Sequence, residues 1–480
     1  MSHGAIALII DQPREPVMPH FLNLSLSSLT TMLERGETTS VQLVEQALEG
    51  FDQLNPLINA VVTTHRELSI RYAEKADTLR AKGEIVGPLH GIPMTIKDSL
   101  DTFDMNTTWG TVGRRAHRPG HDAISVARLR AAGAILVGKT NTPELTLSYQ
   151  TDNSIFGRTS NPHDIDRTSG GSSGGAAALI AAGGTPIDLG TDTGGSIRLP
   201  AHFCGVYGLK PTTGRVPTTG NALPSTGLLA PLSQIGPLSR SLEDLTLIYK
   251  IIQGPHHTDP YTLDAPDRAA TEEVAQLRVG FFADHGLGTP SGAIKESLSS
   301  LINTLADKGC DVREIRPEGI EMTSMLYGQL FNADGHEMIA DQLHASGTET
   351  PSLSLQRILS QPKSQLSASE LSHLISLWDG YRSSMRSVFE SVDVILCPVN
   401  GRTALLHDEE ENPYDYLYTQ AFNLTGWPGL SMPSATDEKG LPVGIQIVAP
   451  PLMEERCLSV ARFLEANLEP LSKPKVYLES

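Results

Sequence analysis

Two glycine-rich serine loops stand about twenty residues apart in this chain, TSGGSSGG at 168–175 and GTDTGGS at 190–196. Glycine has no Cβ and tolerates positive φ, so such loops bring main-chain N–H groups close to a phosphate or an oxyanion. Neither loop has GxxxxGK[ST] or GxGxxG spacing, and no lysine follows within reach, which argues against a nucleotide site. In the oxyanion reading, the N–H groups of Thr193, Gly194, Gly195 and Ser196 face one point, as stabilisation of a tetrahedral acyl-transfer intermediate requires. A hydroxyl beside such donors is a poor nucleophile without a base. Ser196 stands in GGSIR rather than GxSxG, and none of the 15 histidines has a recognisable catalytic context, so a Ser-His-Asp triad is not indicated. Lysine is the remaining base. Lys97 ends the apolar run LHGIPMTIKD, where it either carries its charge to solvent at a sheet edge or serves as a neutral amine after burial lowers its pKa. The pattern alone leaves both open.

The elements around these loops alternate. Helices are expected at 27–35 and 41–54, the second behind a Thr39-Ser40-Val41-Gln42 capping box and carrying Val41, Val44, Leu48 and Phe51 at helical spacing. A strand at 60–63 and a helix at 67–82 ending at Gly83 follow, then a strand at 93–96, a helix at 123–132 and a strand at 134–137. Further strands are expected at 187–189, 279–282, 394–396, 430–432 and 443–448, which gives an α/β protein with a large mixed sheet covered by helices on both faces. Polar helices at 294–308 and 368–387 and a Ser/Gln/Pro-rich loop at 349–367 set 254–397 apart. One large domain is expected, with an N-terminal helical segment (1–70), a catalytic core (71–253), a variable, largely helical substrate-side region (254–397) and a C-terminal part completing the core (398–480).

Composition bounds the partners. The 480 residues carry a formal net charge of −18, which argues against a sequence-independent grip on nucleic acid. Four isolated cysteines, Cys204, Cys310, Cys397 and Cys457, lack metal or disulfide spacing and suit a reducing compartment. The apolar run at 5–10 is too short for a signal-peptide core, and no run approaches the roughly 18 residues of a membrane span, so a cytoplasmic protein without membrane association is expected.

The stretch TSGGSSGGAAALIAAGG leading into DLGTDTGGSIRLPAHFCGVYGLKP resembles the amidase signature family. The resemblance extends to LHGIPMTIKD, to AGAILVGKTNTPELTLSYQTDNSIFGRTSNP and to FNLTGWPGLSMPSATDEKGLPVGIQIVAP, and is weakest at 254–397. It implies a Ser-cisSer-Lys triad, with Ser196 as nucleophile, Ser172 as bridging serine in a cis peptide and Lys97 as base. It implies an oxyanion hole from the N–H groups of Thr193 to Ser196. Ser173 becomes a supporting hydrogen-bond donor or a plain helix cap, Asp192 and Arg198 a structural ion pair that fixes the loop, and Tyr149 and Gln150 candidates for the acyl pocket. His90 reads as a turn residue. The implied activity is hydrolysis of a linear carboxylic amide, a small molecule, without metal or organic cofactor, with a homodimer as the candidate assembly. Carbamate or ester hydrolysis, and the glutaminase-type subunit of a tRNA-dependent amidotransferase, are the alternatives, and a non-catalytic binding protein is the reading from another class.

Overall fold

A computed structural model describes residues 21–266, 273–361 and 365–478; the apolar run at 5–10 lies outside them. The first helices are set by their caps. Helix α1 (Leu26–Arg35) begins where the Ser25 hydroxyl accepts from the Ser28 N–H, and stops at Gly36 in the left-handed region. Helix α2 (Ser40–Ile58) has the expected capping box, Thr39 and Gln42 each accepting the other's backbone N–H. It runs past the expected end and buries Val44, Leu48, Phe51 and Leu54 along one face.

Strand β1 (Val61–Thr64) and helix α3 (Arg66–Ala81) follow, then β2 (Pro93–Lys97), α4 (Ile124–Ala131) and β3 (Ile135–Thr140). These strands form their own sheet in the order β1-β3-β2, with β2 parallel and β1 antiparallel to β3. Every residue of β2 and β3 is buried, as strands covered on both faces require. A short hairpin, β4 (Ser160–Asn161) and β5 (Asp164–Thr168), leads into the first glycine loop.

The main sheet is mixed and eight-stranded. Its members are β6 (Ile187–Asp192), β7 (Tyr207–Lys210), β8 (Gln234–Ser239), β9 (Arg278–Phe281), β10 (Asp311–Glu314), β11 (Val394–Pro398), β12 (Gly429–Thr436) and β13 (Pro442–Val448), in the order β10-β9-β11-β13-β12-β7-β8-β6. Only the β10-β9 and β9-β11 pairs are parallel. Region 254–397 therefore supplies three strands of this sheet as well as helices such as Gly292–Asp307, Thr323–Asn332, Leu353–Leu359 and Ala368–Arg386.

The two sheets are joined by side chains rather than by a ladder. Asp188 of β6 is fully buried, and its Oδ2 accepts from Thr95 of β2 at 2.6 Å and Thr140 of β3 at 3.0 Å. That contact holds the Lys97 strand beside the strand that leads to Ser196. Between the glycine loops runs α5 (Gly174–Ala181), buried at every residue and apolar all round, as a central helix must be. A Cβ on Gly175 would lie 2.4 Å from the Asn141 amide nitrogen, so only glycine lets this helix approach the end of β3.

Candidate active site

The end of β2 delivers Lys97 into the interior with no exposed surface. Its Nζ lies 2.7 Å from Ser172 Oγ, 3.0 Å from Ser173 Oγ and 2.7 Å from Thr191 Oγ1. Three hydroxyls and no carboxylate surround the amine, so nothing in contact neutralises a positive charge. Burial pushes the Lys97 pKa well below the ordinary lysine range, and the more distant Asp192 and Asp188 only partly oppose it. The solvent-reaching alternative for Lys97 is excluded by this burial.

Ser172 follows a cis peptide bond from Gly171 and is itself fully buried. Ser173 occupies the N-cap position of α5 but makes no capping hydrogen bond. Its hydroxyl is instead 3.0 Å from Lys97 Nζ and donates to the Thr191 carbonyl at 3.3 Å, while its backbone N–H donates to the Ser196 carbonyl at 3.1 Å. The first glycine loop is thus fastened to both the lysine and the backbone of Ser196. Of the three residues, Ser196 alone lines a cavity of about 1140 Å³; Lys97 and Ser172 lie behind it.

The loop carrying Ser196 is built on a buried ion pair. Asp192 and Arg198, both without exposed surface, meet at 3.0 Å through Nε to Oδ2 and again through Nη2 to Oδ1. Burial alone would raise the Asp192 pKa; the Arg198 guanidinium, together with the Lys210 charge and the Asn423 amide, more than offsets it and holds the carboxyl well below the usual range. Arg198 also donates to Gln446 Oε1, the Thr419 carbonyl and Asn423 Oδ1. Nearby, Lys210 donates to the Pro211 carbonyl, and burial together with Arg198 lowers its pKa to about 7.

The expected set of four oxyanion donors needs correction. The Gly195 N–H donates to Asp192 Oδ1 at 2.8 Å and is not free for an oxyanion. The N–H groups of Thr193, Gly194 and Ser196 have no acceptor among the described residues. Tyr149 and Gln150 both line the cavity: Tyr149 stacks on Tyr416 with ring centroids 3.8 Å apart, and Gln150 donates to Glu411 at 2.8 Å. His90 is a packed turn residue, its Nδ1 accepting from the Val86 N–H and its Nε2 donating to the Ala76 carbonyl.

Several site residues carried no signal of their own in the sequence. Thr191 lay inside the second glycine motif, beyond the strand expected at 187–189, and was given no role there; the structure places it in β6. Tyr327, Thr419 and Asn423 are far from either loop in the chain and come to it only through the fold. The cavity walls combine Leu147, Phe331, Ile339 and Ile358 with polar rim groups from 407–411.

The model of the family described as Amidase matches residues 42–458. The chain belongs to the amidase signature family. It is 34% identical to a glutamyl-tRNA(Gln) amidotransferase subunit from Rhodopirellula baltica, over 90% of this chain and 94% of that one. Among solved structures it resembles an inhibitor-bound complex described as a vestigial protein complex that reveals the evolutionary origins of an s-triazine catabolic enzyme, with a TM-score of 0.85 and 28% identity over 94% of this chain and 100% of that one. It also resembles 6-aminohexanoate cyclic dimer hydrolase complexed with substrate, with a TM-score of 0.84 and 25% identity over 95% and 99% of the two chains. As a member of an amidase family, the chain is a hydrolase of carbon–nitrogen bonds on an amidase signature fold.

Proposed function

We propose that the chain hydrolyses a linear carboxylic amide through an acyl-enzyme on Ser196. The observation that carries this reading is the buried Lys97 amine 2.7 Å from Ser172 Oγ, directly behind the loop that presents Ser196 to the cavity. In the reaction Ser196 Oγ bonds the carbonyl carbon and passes its proton to Ser172 Oγ, whose own proton moves to the Lys97 lone pair. The carbonyl π electrons move onto oxygen, which the N–H groups of Gly194 and Ser196 stabilise. On collapse the proton returns through Ser172 to the leaving nitrogen, the amine departs, and water releases the acid from Ser196 by the same relay. Lys97 is suited to this because its charged form is the disfavoured one in a dry site.

The cavity, slightly larger than the roughly 300–1,000 Å³ usual for small-molecule sites, supports an acyl group bulkier than a short aliphatic one. A second reading, glutamine hydrolysis on behalf of a partner, is supported by the likeness to an amidotransferase subunit and by Arg357. That guanidinium lines the same cavity without an ion-pair partner among the described residues and would suit a substrate carboxylate. The test is product release by the purified chain from aliphatic amides, anilides and L-glutamine, with Ser196→Ala beside it. Hydrolysis of apolar amides or anilides, completely lost in Ser196→Ala, is the expected result. Turnover of glutamine alone would replace the first reading by the second, and equal turnover by Ser196→Ala would remove both.

A further inference from the structure

The nucleophile loop is held by its carbonyls. A peptide unit is planar and trans, so its N–H points opposite to its C=O, and fixing one end aims the other. In the unit joining Thr193 to Gly194, the Thr193 carbonyl accepts from Tyr327 Oη at 3.4 Å. In the next unit, the Gly194 carbonyl accepts from Thr419 Oγ1 at 2.7 Å and Tyr149 Oη at 3.2 Å, and the Gly195 N–H donates to Asp192. In the third, the Gly195 carbonyl accepts from the Leu199 N–H at 2.7 Å. All three planes are anchored at oxygen. Of these three units, the first and third have N–H groups, those of Gly194 and Ser196, with no acceptor among the described residues, as has the Thr193 N–H of the preceding unit.

The anchors leave no slack. A Cβ on Gly194 would lie 2.3 Å from Tyr327 Oη and 2.7 Å from Tyr149 Oη, and one on Gly195 would lie 2.4 Å from Thr419 Oγ1. Gln420 Nε2 donates to Tyr149 Oη at 2.9 Å, which directs the tyrosine proton to the loop. Tyr327 comes from the helix Thr323–Asn332, in the region where the family resemblance is weakest, and its ring also lines the cavity.

We propose that Tyr327 is a positioning residue of the reaction: its hydroxyl holds the Thr193 carbonyl so that the Gly194 N–H faces the developing oxyanion. This rests on the acyl-enzyme reading above. The substrate-side helix thereby does two jobs, walling the cavity and aligning an oxyanion donor. Removing one such donor outright costs on the order of 10²–10³ in rate, so loosening its plane in Tyr327→Phe should cost about 10-fold.

The experiment is the rate of phosphonylation by an alkyl fluorophosphonate, in which Ser196 Oγ bonds phosphorus, fluoride leaves and the phosphoryl oxygen takes the oxyanion position. Wild type, Tyr327→Phe and Tyr327→Met are compared, Tyr327→Met serving if the phenylalanine variant does not fold. The maximal rate constant should fall about 10-fold while the half-saturating probe concentration changes by less than about twofold. A variant that reacts at the wild-type maximal rate, or loses only probe affinity, would overturn the positioning role. A wild-type chain that is never labelled would overturn the acyl-enzyme reading first, and the positioning role with it.

Discussion

At the residue scale, the site turns on the protonation of Lys97. Its pKa in the folded chain lies well below the ordinary lysine value of about 10.4, because burial among hydroxyls disfavours the ammonium. Between the two values the unfolded chain binds more protons than the folded one, so stability rises with pH across that window. Lys139, lowered to about 8, and Lys210, lowered to about 7, act in the same sense. Lys97→Met should therefore reduce, without abolishing, the rise of Tm between about pH 7 and about pH 10. Turnover at neutral pH should fall by about 10² or more, as loss of a general base implies. Calorimetry across that range checks the first point; a slope equal to the wild type's would contradict a neutral buried amine.

At the element scale, the Asp192–Arg198 pair is a junction. Asp192 ends β6, and Arg198 opens the helix Arg198–Cys204 and reaches Asn423 of the helix Leu417–Leu424 and Gln446 of β13. Asp192→Asn would leave the guanidinium buried without its counter-charge, which should cost roughly 3–5 kcal/mol. Urea unfolding would show this as a shifted midpoint, and an unchanged midpoint would mean that the junction does not hold the loop. The resemblance made the pair legible as a structural ion pair that fixes the loop; its reach into β13 was not legible, because the residues it meets lie more than two hundred positions away. Element positions behaved similarly. The capping box of α2 and the strand before Lys97 are local signals and could be read directly. The helix Gly174–Ala181 is apolar on all sides and has no period to read, and β10, with three exposed residues of four, has no alternating apolar face.

At the scale of the whole molecule, two sheets bring the parts together. The β1-β3-β2 sheet supplies Lys97, the main sheet supplies the loop of Ser196, and the buried Asp188 carboxylate joins them through Thr95 and Thr140. The two glycine-rich loops were visible in the chain as contiguous runs, whereas the pattern around Lys97 left its role open until the resemblance was added. The cavity was not, because its walls come from segments as far apart as 146–154, 327–361 and 407–411. The restriction of the oxyanion donors by Asp192 was also hidden, since no sequence pattern tells which of four adjacent amides is already bonded. Everything proposed for the site depends on Ser196 being an activated nucleophile. Its most direct test is intact-mass and peptide analysis of the folded chain after exposure to a fluorophosphonate, beside Ser196→Ala. One adduct, on the peptide containing Ser196 and absent from the variant, is the predicted result; an adduct on another residue, or the same adduct on Ser196→Ala, would contradict it.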